Sequence, residues 1–371
     1  MLVPARCRVH CLLGVALVVL GGCAGAPAGE RTRGRSPSAT RSVVASAAST
    51  AAPTAPATAQ ATTAAAARAA RDRPRTADGW CRQSHSPQET QSLQAVWGSG
   101  PRDVFAVGTR GVILHYDGKA WISQVSGTYS DLMGVWGSSP SDVFAAGQQG
   151  TVLHYDGQRW TTQRTGDEAL RVVWGSGPSH VLVASYNLPS KEGTLLRYDG
   201  RTWHKERIAG LPGDLTDFRG NGPADLYVAT VVDDRDEAGR KGTVAHYDGR
   251  KWSRIGDVSN VVRLWGTGPS DLFAVHVYGS ILHFDGRQWA EPDVEGGEKL
   301  GNFMRAVWGS GANDVYAAGD NGQIRHSDGR RWSIQASGTS ASLRAMWGSG
   351  RDDVFVVGDE GTVLHRGAPQ P

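Results

Sequence analysis

The stretch LQAVWGSGPRDVFAVGTRGVILHYDGKAWISQVSG, residues 93–127, contains a unit that recurs through the rest of the chain. It reads as four short β-rich runs, separated by Gly-Ser-Gly-Pro, by a glycine-containing turn and by Asp-Gly. Asp-Gly between such runs is typical of a hairpin, because glycine adopts positive φ at no steric cost. The run VFAVG is apolar on both faces, which predicts a strand that is covered on both sides. One unit therefore predicts a four-stranded antiparallel sheet.

Seven such units follow one another at intervals of about 40 residues, and this repeat length predicts a β-propeller. They are centred on Trp97, Trp136, Trp174, Arg219, Trp265, Trp308 and Trp347. A second tryptophan follows each Asp-Gly of the first six units. We therefore predict an all-β fold over residues 79–371, a seven-bladed β-propeller with four-stranded blades.

The seventh unit ends after its third strand, which raises the question of how the ring closes. Trp80 is the one of the thirteen tryptophans that lies outside the repeats, and it stands immediately before the first unit. A ring has unpaired edges unless its ends are joined, so we expect Trp80 to about Ser86 to form the outer strand of the seventh blade. Cys81 lies on this strand. Burial as a small apolar residue is the favoured interpretation, and an intermolecular disulfide is the alternative.

Residues 1–23 are typical of a bacterial lipoprotein signal peptide. Arg6 and Arg8 precede the apolar run CLLGVALVVLGG, which is too short to span a bilayer comfortably. The sequence LGGC at its end resembles a lipobox, and this resemblance implies lipidation of Cys23. Ala24 after that cysteine implies sorting to the outer membrane, on its periplasmic side or at the cell surface. An ordinary cleaved signal peptide and an uncleaved anchor are the alternatives.

Residues 24–78 are rich in Ala, Pro, Thr and Arg, and we expect a disordered linker there. Residues 1–78 contain ten of the 39 Lys and Arg and three of the 36 Asp and Glu. This leaves 29 basic and 33 acidic residues in 79–371, a net charge of −4 for the propeller against +3 for the whole chain. The basic character belongs to the signal and linker, so we expect no nucleic-acid partner.

Positions that recur in every unit are most simply part of the scaffold. A histidine recurs on the third strand: His115, His154, His246, His283, His326 and His365. An aspartate recurs just before the second strand, at Asp103, Asp142, Asp225, Asp271, Asp314 and Asp353, where it is well placed to accept backbone N–H bonds from the Gly-Ser-Gly turn. The histidines belong to different blades and cannot converge on one ion. We expect no metal and no cofactor.

The departures from the repeat point to a binding face. Insertions fall in the 2–3 and 4–1 loops around blades three to five, and these loops open on one face of an up-and-down propeller. Variable loops on a rigid scaffold commonly form binding sites. The candidate residues in the inserted 2–3 loops are Tyr186, Lys191, Glu192, Asp233, Asp234, Asp236, Glu237 and Arg240. The acidic run 233–237 lacks calcium-loop spacing, so a solvated loop is the default and calcium binding the alternative.

Charged residues near the start of the first strand are the other candidates. Arg171, Arg305 and Arg344 stand three positions before the tryptophan, and Arg219 replaces the tryptophan of blade four. Asp217 and Arg263 stand two positions before it, where other blades have Ala, Gly or Val. These side chains either line the mouth of the central channel or form an inter-blade ion pair between Asp217 and Arg263.

The repeat VWGSGPxDVFAVGxxGxxLHYDGxxW resembles those of bacterial lipoprotein and secreted β-propellers, and is similar to Asp-box (BNR) and Kelch-like repeats. The resemblance implies the fold, whereas function varies widely among these families. The first hypothesis is a monomeric, membrane-anchored, non-catalytic propeller that binds a protein or polysaccharide of the cell envelope. The second is a carbohydrate-active enzyme, a glycoside hydrolase or polysaccharide lyase. Arg171, Arg305 and Arg344 are loosely similar to the arginine cluster of sialidase-like propellers, but no Tyr–Glu pair stands on the matching strand, and Tyr186 and Glu192 lie in the blade-three loop.

Overall fold

The structure is a computed structural model, and it describes residues 75–85, 90–164, 166–185, 194–206, 214–232, 241–276, 278–293 and 303–367. The propeller lies in a compact unit, Pro56–Pro371. The closing strand is β1 (Trp80–Arg82). Blades one to three contain β2 (Leu93–Gly100), β3 (Asp103–Gly108), β4 (Ile113–Tyr116), β5 (Trp121–Gln124), β6 (Leu132–Ser139), β7 (Asp142–Gly147), β8 (Val152–Tyr155), β9 (Trp160–Arg164), β10 (Leu170–Gly177), β11 (His180–Ser185), β12 (Leu195–Tyr198) and β13 (Trp203–Glu206).

Blades four to seven complete the ring of antiparallel sheets, and the predicted fold is confirmed. Their strands are β14 (Asp214–Gly222), β15 (Asp225–Val232), β16 (Lys241–Tyr247), β17 (Trp252–Gly256), β18 (Val261–Gly268), β19 (Asp271–His276), β20 (Ile281–Phe284), β21 (Trp289–Ala290), β22 (Met304–Gly311), β23 (Asp314–Gly319), β24 (Ile324–Ser327), β25 (Trp332–Gln335), β26 (Leu343–Gly350), β27 (Asp353–Gly358) and β28 (Val363–Gly367). Two short 3-10 turns, Thr109–Gly111 and Asp320–Gly322, connect second and third strands. Among the described residues there is no helix long and apolar enough to span a membrane.

The closing strand pairs with the third strand of blade seven as predicted, in the order β1-β28-β27-β26, but it ends at Arg82 and is shorter than the expected Trp80 to about Ser86. Trp80 lies opposite Arg366, the position that Trp121 holds opposite Tyr116 in blade one. The Trp80 indole meets the Tyr316 ring edge-on at 5.9 Å and donates a hydrogen bond to Gln335 Oε1 at 3.0 Å. Cys81 is buried, as its favoured interpretation required. The N-terminal and C-terminal ends of the propeller sequence therefore share one sheet.

The hydrophobic core lies between neighbouring blades. The second strand of blade one is fully buried from Val104 to Val107, as its two-sided apolar pattern predicts. Aromatic rings connect the blades: Trp160 of blade two meets Phe105 of blade one at 6.0 Å, and Trp121 of blade one meets Phe355 of blade seven at 5.9 Å. Each blade thus buries its apolar faces only when both neighbours are present.

The Asp-Gly turns have the geometry that their sequence predicts. Asp117 Oδ1 accepts hydrogen bonds from the backbone N–H groups of Lys119 and Ala120, both at 2.8 Å. Gly118 has φ of 88°, a conformation that favours glycine. The same arrangement recurs at the later Asp-Gly turns, so this end of each of the first six blades is short and uniform.

Candidate binding site at the mouth of the central channel

A cavity of about 230 Å³ opens where the first strands begin. Each first strand has a β-bulge here, for example between Leu93 and Ala95. A bulge leaves one residue unpaired and redirects its side chain. One residue from each blade lines the cavity, three positions before the central Trp or Arg219: Gln94, Met133, Arg171, Thr216, Val262, Arg305 and Arg344. We call this cavity the channel mouth.

Two of the mouth arginines are held in ion pairs within their own blades. Arg305 donates to both carboxylate oxygens of Asp320, at 2.5 and 3.0 Å, and Arg344 does the same to Asp359, at 2.5 and 2.9 Å. The hydrogen bond to Asp320 raises the pKa of Arg305, and it holds the pKa of Asp320 below its usual range. Both pairs therefore present fixed, largely compensated charges.

The sequence contains a signal for these pairs, although neither pair was predicted. Arginine stands three positions before the tryptophan in blades six and seven, and the same two blades have aspartate at the start of the 2–3 loop, in GDNG and GDEG. Blades one and two have Gln94 and Met133 with GTRG and GQQG instead. The arginine and the aspartate are present together in two blades and absent together in two others. A comparison of the repeats within this one sequence is therefore enough to predict their contact.

The channel continues below the mouth as a second space of about 270 Å³. The two spaces share Gln94, Met133, Arg171 and Arg263 as lining residues, so they are continuous. Most blades contribute small or apolar side chains to the channel wall. Blades four and five differ, because Asp217, Arg219 and Arg263 are all in the lining. The structure thus places all three of these charged side chains in the channel wall.

Asp217 connects blades four and five through the backbone. Its side chain is 5% exposed, and Oδ2 accepts a hydrogen bond from the Leu264 N–H at 2.7 Å. Burial raises the pKa of Asp217, and the charges of Arg263 and Arg219 act in the opposite direction. In the part of the chain that the structure describes, this hydrogen bond takes the place of the ion pair expected between Asp217 and Arg263.

Arg219 interrupts a ring of contacts between tryptophans and glycines. In the other blades the tryptophan packs over the glycine of the next blade: a methyl group on Gly137 would lie 2.5 Å from Trp97, and one on Gly175 would lie 2.4 Å from Trp136. At the corresponding Gly266, the nearest neighbours are Asp271 and Leu272 of the same blade. The seam between blades four and five thus lacks the indole that seals the others.

The repeated histidines and aspartates form one polar network in each of six blades. In blade one, Asp103 accepts from His115 Nε2 at 2.6 Å and from the Ser99 hydroxyl at 2.6 Å, and the imidazole stacks on Phe105 at 4.2 Å. The partners of the aspartate are thus a hydroxyl and an imidazole, where we had expected the turn's backbone. Equivalent His–Asp pairs join His154 to Asp142, His246 to Asp225, His283 to Asp271, His326 to Asp314 and His365 to Asp353.

Several predicted site residues lie outside the described residues. These are Cys23 and the loop residues Tyr186, Lys191, Glu192, Asp233, Asp234, Asp236, Glu237 and Arg240. The remaining candidates, Arg171, Arg219, Arg263 and Arg305, surround one continuous cavity. Within the described ranges no three His, Cys, Asp or Glu side chains are grouped as metal ligands would be.

An exposed aromatic pair, which sequence reasoning missed, lies on the loops of the same face. Tyr278 is in the 2–3 loop of blade five and Phe303 directly precedes β22, and their rings are 6.2 Å apart. They are 65% and 44% exposed. Phe303 is two residues before Arg305 of the channel mouth. Large exposed aromatic side chains are frequent anchors in protein interfaces.

No protein-family model matches the chain, and no curated protein matches it. Solved structures do share its fold. YCF48 bound to D1 peptide has a TM-score of 0.59, with 15% identity over 78% of this chain and 97% of that chain. YCF48 from Cyanidioschyzon merolae has a TM-score of 0.60, with 16% identity over 78% and 98%. The WD40 β-propeller domain of Doa1 has a TM-score of 0.57, with 13% identity over 80% and 99%. At these identities the likeness establishes the fold alone, and this chain is similar to known β-propellers.

Proposed function

We propose that this chain is a non-catalytic propeller that binds a protein partner through the face containing the channel mouth. The exposed Tyr278–Phe303 pair beside that mouth is the observation that carries the proposal. Exposed aromatics next to a concave, partly charged opening combine the two features of a protein-binding hot spot, an apolar anchor and polar groups that fix orientation. One structurally similar propeller was solved bound to a peptide, which is consistent with this use of the fold.

A pair of matched variants tests the proposal on the full chain. Tyr278→Ala with Phe303→Ala removes the aromatic anchor. Ile122→Ala with Ile334→Ala removes two side chains of similar exposure, 50% and 54%, from outer strands of blades one and six. Immobilised wild type and both variants are exposed to solubilised envelope proteins, and retained proteins are quantified by mass spectrometry.

A partner retained by wild type and by the isoleucine variant, and lost from the aromatic variant, is the expected result. Equal retention by all three would move the site away from this face. Cell-wall polysaccharide is offered in parallel. Retained polysaccharide that is lost from the aromatic variant would make the partner a glycan, whereas shortened polysaccharide would favour the carbohydrate-active enzyme.

We also propose that Cys23 is lipidated and that the protein is an outer-membrane lipoprotein, with the predicted linker from Ala24 up to the closing turn at Arg75 as its tether. The support is the sequence alone, namely the apolar run that ends in LGGC. Metabolic labelling with an alkyne fatty acid tests it. Wild type should incorporate label and fractionate with the outer membrane, and Cys23→Ser should do neither. Label retained by Cys23→Ser would contradict the assignment.

A further inference from the structure

We propose that the channel below the mouth binds a carboxylate that belongs to a peptide segment of the partner, and that Arg219 and Arg263 are its ligands. The inference rests on the proposed protein-binding function and specifies the chemistry of the partner. The site is the seam between blades four and five, where the ring of tryptophan–glycine contacts is interrupted.

Arg263 retains donors that the protein does not use. Its Nη1 donates to its neighbour's carbonyl oxygen, Val262 O, at 2.8 Å. Among the described residues no carboxylate forms an ion pair with it, in contrast to Arg305 and Arg344. A guanidinium has five N–H donors in a planar fork, so most of this fork remains open toward the channel.

Arg219 is more exceptional, because it occupies a position that the fold otherwise gives to an indole. It lines the channel, and none of the described residues accepts a hydrogen bond from its guanidinium. Burial lowers the pKa of Arg219, and Arg263 adds to this effect by repulsion. Arginine nevertheless stays protonated in proteins. Arg219 is partly exposed to the channel, so its charge is incompletely solvated and an anion that joins it there would stabilise it.

The local charge balance leaves room for one negative group. Among the described residues that line this part of the channel, Asp217 is the single carboxylate, and it faces two guanidinium groups. One of its oxygens is already used by the Leu264 amide. One added carboxylate would make the group of Asp217, Arg219 and Arg263 neutral. Two guanidinium groups that converge on one space suit a planar, bidentate acceptor.

The shape of the opening selects a chain end or a single extended loop. The mouth and the channel are narrow spaces of about 230 and 270 Å³, which a folded surface cannot enter. Arg305 and Arg344 at the mouth are already paired, so we expect them to orient an entering acidic segment without being its main ligands. The Tyr278–Phe303 pair lies on the same face, where it can hold an apolar residue of that segment.

A peptide selection tests this chemistry directly. Full-length wild type is used to select from a display library of random decapeptides with free C-termini, and the strongest binder is synthesised with fluorescein. Its dissociation constant is measured by fluorescence anisotropy, and again after its Asp and Glu are changed to Asn and Gln and its C-terminus is amidated. Succinate is titrated as a small-molecule carboxylate.

We expect selected peptides that contain an acidic residue or depend on the free C-terminus, with at least tenfold weaker binding after neutralisation. Arg263→Gln and Arg219→Gln should each weaken binding at least tenfold, whereas Asp217→Asn, which removes the competing carboxylate, should tighten it. Arg164→Gln is the control, since its ion pair with Glu168 lies outside the channel lining, and it should bind like wild type. If thermal melting shows that Arg263→Gln does not fold, Arg263→Lys takes its place, because this substitution keeps the charge and loses the planar fork.

Three outcomes overturn the inference: no peptide enriched by wild type, enriched peptides that bind equally well when neutralised, or equal binding by the arginine variants and the control. Succinate that binds as tightly as the peptide would instead assign the site to a free metabolite-like anion. If the envelope partner is lost from Tyr278→Ala/Phe303→Ala yet retained by Arg219→Gln and Arg263→Gln, the proposed function stands and this inference fails.

Discussion

Replacing Trp80 with alanine is expected to open the ring at its closing strand. Trp80 is 1% exposed, its indole contacts Tyr316 edge-on, and its Nε1 donates to Gln335. Removal of a buried tryptophan side chain typically costs about 3–5 kcal/mol, because the transfer free energy is lost and a cavity remains. For a domain of this size each kcal/mol lowers the melting temperature by roughly 2 °C, so we expect a decrease of roughly 6–10 °C.

The loss of stability in Trp80→Ala would not by itself show that β1 closes the ring of blades, so a matched control is needed. Trp160 of blade two has the same environment: it meets Phe105 at 6.0 Å and donates to Gln124 at 2.7 Å. Trp160 lies on a strand that a hairpin attaches to its blade, whereas β1 is attached to β28 by three residue pairs. Trp160→Ala should therefore lose similar stability without detaching any strand.

The reactivity of Cys81 distinguishes the two variants. Cys81 is buried beside Trp80 and pairs with His365. In a full chain with Cys7, Cys11 and Cys23 replaced by serine, an aromatic disulfide reagent reports the exposure of this thiol under native conditions. The Trp80→Ala thiol should react quickly, and the Trp160→Ala thiol should react as slowly as wild type, because local opening precedes global unfolding. An unreactive Cys81 and an unchanged melting temperature in Trp80→Ala would refute the closure reasoning.

Two further predictions concern the seams between blades. Gly137→Ala would place a methyl group 2.5 Å from Trp97 and 2.8 Å from the Asp142 carbonyl oxygen, so it should lower the free energy of unfolding by about 1–3 kcal/mol in chemical denaturation. Gly177→Ala is the control and should be nearly neutral, because a methyl group there would have no atom within 4 Å. Equal unfolding midpoints for the two variants would contradict the role of the Trp–Gly contacts. Burial raises the pKa of Asp217 above 3.8 in the folded protein, so its contribution to stability is fully present below about pH 4 and is lost as pH rises through the raised value. Wild type should therefore lose stability relative to Asp217→Asn as pH increases from about 4 in a urea titration series, and a relative gain would show that the pairing with Arg219 and Arg263 outweighs burial.

The repeat made most of the fold predictable, because each local signal agreed with the same architecture. The Asp-Gly turns, the two-sided apolar second strand and the missing fourth strand of blade seven were each readable from residue types. The pairing register of Trp80 was not. Asp-Gly-Trp is two residues shorter than the usual Asp-Gly-x-x-Trp, and β1 does not enter from a hairpin with β28. Its approach is instead fixed by a local turn in which Thr76 N–H bonds to Trp80 O, and by Asp78, which accepts from the Ala336 amide.

The candidate site was predictable in position and less so in chemistry. The sequence placed Arg171, Arg263 and Arg305 at the start of first strands, and the structure brings them to one cavity. The pairing of Arg305 and Arg344 with the aspartates that begin the 2–3 loops of their own blades was not predicted, although both residues of each pair stand at matching positions in the repeat. The Tyr278–Phe303 pair joins two loops of neighbouring blades, and no periodic pattern marks such a contact.

A ring of repeated blades can accommodate one irregular seam, such as the seam between blades four and five. Each blade contacts only its neighbours, so the cost of a substitution stays local. With Arg219 in place of the tryptophan and Asp217 in place of a small residue, this seam has less apolar packing, a buried carboxylate and a guanidinium that is only partly exposed. The other Trp–Gly contacts and the closing strand hold the ring regardless. A scaffold of this kind can concentrate its unfavourable polar groups in one place, where a ligand with the opposite charge would recover part of that cost on binding. For this reason the seam that departs furthest from the repeat is where we expect the partner's carboxylate to bind.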